Sequence, residues 1–364
     1  MGNFFKMALI LGIETSCDET AAAVVRDGYE VLSNSVASQI AKHAAHGGVV
    51  PELAAREHLT ALKPVLDGAL SEAGVALSDI DAIAVTQGPG LIPALLVGLS
   101  FAKGLALGHG IPYVGVNHFI GHIYGAFLDE ANSALVDPAT YPLLALVVSG
   151  GHTSLVLADR DGKATALGGT IDDAAGEALD KGSKLLGLGY PGGPVIQRTA
   201  EGGDPHRFEF PRPLTGAAGK PLAPENRWNF SFSGIKTALL YHVRRHLDAD
   251  GNFPPELLKD TVASYQEAVV DVLTRKTLDA AKTYGAKTIV VAGGVACNSV
   301  LRERFEKLTP PGVRLRLAAR KYCTDNGAMI GGLGFHYWKK GDFSSPDIDS
   351  FARLPQITRI PFLD

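Results

Sequence analysis

Two histidines four residues apart, His118 and His122, have a spacing that suggests metal chemistry. They follow an apolar run at 111–116 that predicts a buried strand, and side chains four apart share one face if the chain then turns helical. Two imidazoles on one face can hold a divalent metal ion, but a third protein ligand must come from elsewhere. The same spacing also occurs between histidines that only pack or face solvent, so the pair alone leaves both interpretations open.

A second group of residues suits the binding of phosphate. Ser149, Gly150 and Gly151 lie in a predicted turn between the apolar strands at 143–148 and 154–158. Glycines in such a turn remove side-chain bulk and leave amide protons open to phosphate oxygens. A Gly-Gly turn by itself is a weak signal of this function.

Three further residues suit the sugar and base of a nucleotide. Asp180, at the end of a predicted helix, could accept hydrogen bonds from ribose hydroxyls, and Gly193 could let a sugar or base approach closely. Asn298 follows a buried strand and a glycine turn and opens a helix, where its amide could bond an adenine or ribose edge. A solvated acidic helix and an ordinary turn explain Asp180 and Gly193 equally well.

The elements that would position these residues occur twice along the chain. Each half opens with a strand, a polar turn and a strand, at 8–25 and 143–158, and each continues with a strand, a glycine turn and a helix, at 80–107 and 288–308. Strands alternating with helices predict α/β lobes. We predict a duplicated, two-lobe α/β fold that resembles the actin, sugar-kinase and chaperone-ATPase superfamily (the actin-like ATPase fold), with a nucleotide in the interlobe cleft.

The duplication also suggests the third metal ligand. It places Thr324-Asp325-Asn326 opposite the histidine segment, so we expect Asp325 to complete the metal site, although an Asp at this position also suits a helix cap. Two histidines and one carboxylate with open positions suit Fe(II) or Zn(II) used as a Lewis acid.

The predicted lobes span residues 7–128 and 140–345, with terminal extensions at 1–6 and 346–364. A polar segment containing Pro138 joins the lobes.

Composition limits the class of protein. The formal net charge is −4, so no overall positive field indicates a nucleic-acid partner, and such binding would need a local patch or a second protein. Three cysteines, Cys17, Cys297 and Cys323, are too few and too scattered for a disulfide framework. They favour a reducing compartment, and we expect a cytoplasmic protein.

No membrane anchor is expected. The first residues lack the basic start and apolar region of a signal peptide. The apolar stretch at 91–116 is interrupted by Lys103, His109 and Pro112, which favours a helix and a strand inside a globular core.

Taken together, the motifs resemble one family. Six segments, in order along the chain, are similar to the motif set of the TsaD family, also called YgjD or Gcp: 12–20, 118–122, 148–153, 189–193, 293–298 and 324–328. The similarity extends from about residue 8 to residue 337.

The resemblance implies an activity and a substrate. Members of this family would transfer a threonylcarbamoyl group from threonylcarbamoyl-adenylate to the exocyclic amine of adenosine 37 in tRNAs that read codons beginning with A, and release AMP. It also implies partners, which are tRNA, a TsaB-like paralogue and a small TsaE-like ATPase.

The resemblance assigns ligand residues as well. By similarity, one divalent ion binds His118, His122 and Asp325, with Fe²⁺ favoured and Zn²⁺ or Mg²⁺ possible. By similarity, the adenylate, or ATP, binds these residues: Val147, Val148, Ser149, Gly150, Gly151, Asp180, Gly193 and Asn298.

Two further expectations concern the chemistry and the tRNA. Glu19, in the first polar turn, is a candidate base for the attacking amine because of its predicted position at the cleft. The proline-rich segment 204–227, with several basic residues, is either a loop that helps to hold tRNA or an ordinary surface loop.

Three alternatives remain. A metallopeptidase would use the same histidines, but Phe119 occupies the position of the Glu that such enzymes need beside the first histidine. A small-molecule kinase or ATPase is compatible with the fold, because fold does not determine the reaction. A nucleotide-gated scaffold without turnover is the third.

Overall fold

The computed structural model describes residues 7–46, 48–130, 133–216, 222–353 and 355–362. It divides into two compact units. Unit 1 comprises Met1–Pro138, Arg160–Lys163 and Thr324–Asp364, and unit 2 comprises Ala139–Asp159 and Ala164–Cys323. The predicted lobe boundaries stay predictions, and the predicted extension 1–6 lies outside the described residues.

Unit 1 opens with an α/β series. Its elements are β1 Leu9–Glu14, β2 Glu19–Arg26, β3 Glu30–Ser38, α1 Ile40–Ala44, α2 Pro51–Ala73, β4 Ala82–Gly88, α3 Ile92–His109, β5 Tyr113–Asn117, α4 His118–Gly125 and α5 Ser133–Val136. The sheet order is β3-β2-β1-β4-β5, with β1 antiparallel to β2 and parallel to β4. The central strands β1 and β4 are almost wholly buried, as expected for strands covered on both faces.

Unit 2 has the same plan. Its elements are β6 Leu143–Val148, β7 Thr153–Ala158, β8 Lys163–Gly169, α6 Ala175–Leu185, α7 Gly192–Ala200, α8 Ser233–His246, α9 Pro255–Thr283, β9 Thr288–Ala292, α10 Ser299–Leu308, β10 Arg314–Leu317 and α11 Arg320–Cys323. Its sheet has six strands in the order β11-β8-β7-β6-β9-β10, where β11 is Ile357–Arg359. Strand β6 is antiparallel to β7 and parallel to β9. Without the added edge strand β11, this is the five-strand order of unit 1, so the predicted duplicated α/β fold is confirmed.

The chain then returns to unit 1 with α12 Gly327–Lys340. Helix α12 lies directly on the unit 1 sheet because glycines face it. A Cβ atom on Gly12 of β1 would lie 2.1 Å from Gly327 O, and one on Gly334 would lie 2.3 Å from the Cβ of Ala84. The backbones of helix and sheet therefore approach more closely than any side chain would allow.

The segment after α12 also belongs to unit 1. Ser344 Oγ accepts a hydrogen bond from Gly115 N at 2.9 Å, and Tyr113 Oη donates to Ser345 O at 2.7 Å. The residues just before the predicted terminal extension 346–364 are therefore bonded to β5. Lys103 Nζ donates to Ile348 O at 2.7 Å, which ties α3 to the same segment.

One helix among the described residues, α3, is long and apolar enough to cross a membrane by length and composition, with a mean hydropathy of 1.4. A core helix of a soluble protein passes the same test. Leu99 and Ala102 of α3 pack in the core of unit 1, whereas Leu96 and Leu107 are 42% and 89% exposed. The absence of a transmembrane helix stays a prediction.

We expect Gly12→Ala to destabilise the protein by about 1–3 kcal/mol or more, because the added methyl group overlaps the α12 backbone. Gly104→Ala is the matched control, since nothing lies within 4 Å of its added Cβ in α3. There the same change should leave stability equal or raise it by up to about 1 kcal/mol. Urea denaturation of the two variants measures both effects. Equal stability of Gly12→Ala and wild type would contradict the close packing of α12.

Candidate functional site

The two histidines share one short helix. Helix α4 starts at His118 directly after β5, and the side chain of Asn117 caps it by accepting hydrogen bonds from Phe119 N at 3.0 Å and Ile120 N at 3.2 Å. This cap fixes the first turn of the helix. His118 and His122 therefore lie one turn apart with ring centroids 4.6 Å apart, as predicted.

Asp325 lies beside both imidazoles. Its Oδ1 is 3.6 Å from His118 Nε2 and 3.1 Å from His122 Nε2, and one ligand atom from each of the three residues lies within 4.8 Å of the others. Atoms bound about 2 Å from a single ion lie roughly 3 to 3.5 Å apart. The three residues thus form a possible metal-binding group, and all three belong to unit 1.

A buried carboxylate orients the first histidine. Glu14 is 0% exposed, and its Oε2 lies 2.9 Å from His118 Nδ1. The same oxygen accepts a hydrogen bond from Thr86 Oγ1 at 2.6 Å, and the Ser16 amide donates to the other oxygen. This places the Nδ1 proton against Glu14 and leaves Nε2 directed at Asp325, which is how carboxylate–histidine pairs orient metal ligands.

The charges of this group follow from the same contacts. Burial lowers the pKa of His118, but the adjacent carboxylates of Glu14 and Asp325 outweigh it and raise that pKa to about 9. Burial raises the pKa of Glu14, yet the charge and hydrogen bond of His118 bring it below its usual value. Without a bound cation, Glu14 and His118 therefore form an ion pair at neutral pH.

His122 differs from His118. It is 1% exposed, and neither ring nitrogen makes a hydrogen bond to any described residue, since the Asp325 oxygen at 3.1 Å lacks hydrogen-bond geometry. Burial, followed by the charge of His118, lowers the pKa of His122, so the ring is neutral. Buried polar atoms without a hydrogen bond are costly in a folded protein, and a metal ion bound at one ring nitrogen would satisfy that nitrogen.

A buried histidine, His58, holds the turn between β1 and β2, and its sequence position gave no sign of this role. His58 of α2 donates from Nε2 to Cys17 O at 3.0 Å, while its Nδ1 faces Thr20 Oγ1 at 2.7 Å and Gln39 Nε2 at 3.4 Å. Its burial on α2 is a long-range property that sequence spacing does not reveal. His58 therefore fixes the backbone between Glu14 and β2.

Glu19 is the first residue of β2 and does not lie in the turn. Burial, then the carboxylates of Asp18 and Asp325, raise the pKa of Glu19 to about 10. A protonated carboxyl cannot accept a proton, so Glu19 could act as a base only if a cation nearby lowers its pKa. Its role as a base stays a prediction.

The predicted phosphate-binding turn joins β6 and β7. Ser149 N donates to His152 O at 2.8 Å, and His152 N donates to Ser149 Oγ at 3.2 Å, which closes a tight turn. Val147 and Val148 lie in β6 and are 1% and 0% exposed. Their side chains fill the core, so only backbone atoms at the end of the strand are available to a ligand.

Glycines of unit 2 fall into two classes. A Cβ on Gly293, whose φ is +95°, would lie 2.3 Å from Val148 O, and one on Gly176 would lie 2.6 Å from Ser149 O, so folding itself requires these glycines. A Cβ on Gly150, Gly151 or Gly193 would meet no atom within 4 Å. Packing does not explain the second class, and open space beside their backbone is what a bound ligand needs.

The two polar residues predicted to bind the nucleotide have structural contacts. Asp180 Oδ1 accepts a hydrogen bond from Gly192 N at 2.6 Å, at the start of α7. Asn298 caps α10 by accepting from Leu301 N at 3.1 Å, and its Nδ2 donates to Gln266 Oε1 at 2.8 Å. These contacts direct both side chains at helix N-termini, where backbone amides favour anions.

Cys297, beside Asn298, has an unusual thiol. A hydrogen bond with the thiol of Cys323 lowers the pKa of Cys297 to about 7, against burial, and the guanidinium groups of Arg320 and Arg302 lower it further. Burial raises the pKa of Cys17 well above its usual value, and the hydrogen bond raises that of Cys323. Cys297 is thus the cysteine with the most thiolate at neutral pH.

The segment 204–227 is anchored where it is described. Arg207 pairs with Asp260 at 2.5 Å, and Arg212 Nε pairs with Asp271 Oδ2 at 3.1 Å, both on α9. Residues 217–221 of this segment lie outside the described residues. Its role in holding tRNA stays a prediction.

Solved structures with a similar fold have low sequence identity. Component A of (R)-2-hydroxyglutaryl-CoA dehydratase from Acidaminococcus fermentans is 15% identical, with a TM-score of 0.51, and the match covers 91% of this chain and 99% of that chain. The activator of 2-hydroxyisocaproyl-CoA dehydratase from Clostridium difficile, with bound ADPNP, is also 15% identical, with a TM-score of 0.52 and 92% and 96% of the two chains covered. At this identity the similarity shows the fold alone, and it agrees with the predicted actin-like ATPase fold.

Proteins with much higher sequence identity to this chain share one name. The family model of TsaD, tRNA N6-adenosine threonylcarbamoyltransferase, matches residues 30–332. Proteins of that name are 49% identical in Thermomicrobium roseum, with 96% of this chain and 98% of the relative covered, and 52% identical in Syntrophobacter fumaroxidans, with 95% and 98% covered. The relative of that name in Geobacter sp. strain M21 is 51% identical over 95% of this chain and 96% of its own length. The chain therefore belongs to the TsaD family of tRNA N6-adenosine threonylcarbamoyltransferases.

Proposed function

We propose that this chain transfers the threonylcarbamoyl group from threonylcarbamoyl-adenylate to the exocyclic amine of adenosine 37, in tRNAs that read codons beginning with A. The bond between the carbonyl carbon and the phosphate oxygen of the adenylate breaks as the bond from that carbon to the amine nitrogen forms, and AMP leaves with the oxygen. The observation that carries this proposal is the group formed by His118, His122 and Asp325 in a member of this family.

The donor set suits a divalent transition metal. Two imidazoles and one carboxylate favour Fe²⁺, with Zn²⁺ as the next choice, whereas Mg²⁺ prefers oxygen ligands. When bound, such an ion supplies a Lewis acid for the carbamoyl carbonyl. Glu14 holds His118 in the orientation that presents Nε2, and His122 presents a neutral nitrogen without a competing hydrogen bond.

The adenylate belongs to unit 2 in this proposal. The open backbone of Gly150 and Gly151 would receive the phosphate, and Gly193 would leave room for the sugar or base. Asp180 and Asn298 would contribute polar atoms at two helix N-termini, and Val147, Val148 and Ser149 would contribute backbone groups.

The amine must also lose a proton. We retain Glu19 as the proposed acceptor, with the condition that positive charge beside Asp325 lowers its raised pKa. No serine or cysteine nucleophile is needed, because the amine attacks the carbonyl directly.

We also propose the partners and location. tRNA is the substrate that the family name implies, and a TsaB-like paralogue and a TsaE-like ATPase are the proposed protein partners. The exposed Leu96 and Leu107 of α3 are candidate contacts for the paralogue. The proposed location is the cytoplasm, without membrane attachment.

The alternatives have less support. A metallopeptidase would need a general base beside the first histidine, where Phe119 is 1% exposed in the core. A small-molecule kinase or ATPase has only the shared fold in its favour.

Removal of Asp325 or His118 should abolish metal binding. We expect Asp325→Ala and His118→Ala to retain no stoichiometric Fe²⁺ or Zn²⁺ after dialysis, because two ligands alone hold an ion weakly. Glu14→Gln should bind the metal about 10–100-fold more weakly, since it loses the orienting charge. Titration calorimetry with the metal alone and elemental analysis measure both effects.

His109→Ala is the control for metal binding, because His109 is an exposed histidine at the end of α3. It should bind metal like the wild type. Full metal occupancy in Asp325→Ala would refute the assignment of this site.

The transferase activity has a direct test. The purified chain, with and without its proposed partners, receives unmodified tRNA and threonylcarbamoyl-adenylate, and mass spectrometry measures the modified nucleoside. We expect product with the wild type, none with Asp325→Ala, and at least tenfold less with Glu19→Gln. Unchanged transfer by Glu19→Gln would remove Glu19 as the base. No product from the complete mixture, together with ATP-dependent phosphorylation of a small molecule, would favour the kinase.

The thiol of Cys297 offers a test of the nucleotide site. We expect iodoacetamide to alkylate Cys297 before Cys17 and Cys323, at a rate that rises with pH and is half-maximal near pH 7, because the thiolate is the reactive form. AMP should slow this reaction, because a nucleotide bound at Asn298 would cover the adjacent thiol of Cys297. Peptide mass spectrometry measures both rates. Alkylation unaffected by saturating AMP would contradict the placement of the adenylate beside Asn298.

A further inference from the structure

A groove with basic edges runs between two helices of unit 2. Its volume is about 500 Å³. Its lining residues are Lys181, Lys184 and Leu185 from α6 and Lys236, Thr237 and Leu240 from α8. Three lysines and two leucines thus line the groove, and two of these lysines are paired with carboxylates.

Acidic side chains position two of these lysines. The two carboxylate oxygens of Asp173 accept hydrogen bonds from Lys181 Nζ and Lys236 Nζ, each at 2.7 Å, and Glu177 Oε1 lies 2.8 Å from Lys181 Nζ. Asp173 is half-buried and holds both ammonium groups at the groove. Lys184 is exposed, and no carboxylate of the described residues forms an ion pair with it.

The positive charge continues along α8 beyond the groove. Lys236, Leu240 and Arg244 recur at intervals of four residues, so they lie along one face of the helix. Tyr241 is 61% exposed beside them, and Arg245 follows it by one turn. Within the described part of the chain, Arg244 and Arg245 are exposed and form no ion pair.

This surface is distinct from the proposed adenylate site. Asp180 faces α7, where it accepts a hydrogen bond from Gly192 N at 2.6 Å. Lys181, the next residue, lies about 100° further round the helix and faces α8. The two faces of α6 therefore serve different neighbours.

We propose that the α6–α8 groove, together with Tyr241, Arg244 and Arg245, binds the phosphate backbone of the tRNA substrate. The chain has a net charge of −4, and Asp173 and Glu177 offset the charges of Lys181 and Lys236. The net positive charge of the patch therefore comes from Lys184, Arg244 and Arg245, which a polyanion can neutralise. Lysines and arginines that alternate with an exposed aromatic side chain suit RNA, because the ring can stack on an unpaired base. The identity of the RNA rests on the proposed function.

The test is a change of charge at three exposed positions. The variant Lys184→Glu/Arg244→Glu/Arg245→Glu is compared with Lys282→Glu/Lys287→Glu/Lys307→Glu, which makes the same charge change at exposed lysines of unit 2 outside the groove. Fluorescence anisotropy measures the binding of unmodified tRNA by the full chain at several salt concentrations. We expect at least a tenfold loss of affinity in the groove variant, and a salt slope lower by about one for each phosphate group that the variant no longer neutralises.

A conservative variant, Lys184→Arg/Arg244→Lys/Arg245→Lys, should bind like the wild type because it keeps the charges. Equal affinity and salt slope in the groove and control variants, or no tRNA binding by the wild type, would overturn the proposal. The proposed function fails separately. If the wild type binds tRNA through the groove but forms no modified nucleoside, the docking surface stands and the transferase does not.

Discussion

The close approach of α12 to the unit 1 sheet is the constraint on which the candidate metal centre depends. A Cβ on Gly12 would overlap Gly327 O, so the helix can lie against β1 only because neither backbone carries a side chain at the contact. Asp325 stands two residues before α12, and its distance from the histidines on α4 is set by that contact. A helix displaced outward by the width of one methyl group would move the carboxylate out of range of both imidazoles, because ligand distances tolerate only small errors.

Two units with one strand order present different chemistry at the ends of their strands. In unit 1 the strands end beside imidazoles and carboxylates, and the buried Glu14 sets the orientation of His118. In unit 2 they end beside glycines and helix N-termini, which offer backbone amides. The first set suits a cation and the second an anion, so duplication of the fold has been followed by divergence of charge.

Much of this organisation was predictable from the sequence, because it depends on local patterns. Apolar strands followed by polar or glycine turns indicated the duplicated fold, and the four-residue spacing of His118 and His122 indicated the shared helix face. Other features depend on contacts between distant parts of the chain. The Glu14–His118 pair joins residues 104 apart, and burial of His58 depends on the packing of α2 against the first turn. Asn298 was predicted as a ligand, and the structure shows it as a helix cap, since asparagine favours both roles.

The return of the chain to unit 1 has a consequence for biosynthesis. Unit 1 is discontinuous, and its candidate metal-ligand group includes Asp325 from the segment Thr324–Asp364, which is synthesised after unit 2. Unit 2 lies within nearly continuous sequence, so all of its sheet except the edge strand β11 is synthesised before α12 completes unit 1. A nascent chain that has not reached residue 325 carries Glu14 and both histidines without Asp325. The candidate ligand group is therefore complete only after Asp325 has been synthesised, more than 200 residues after the two histidines.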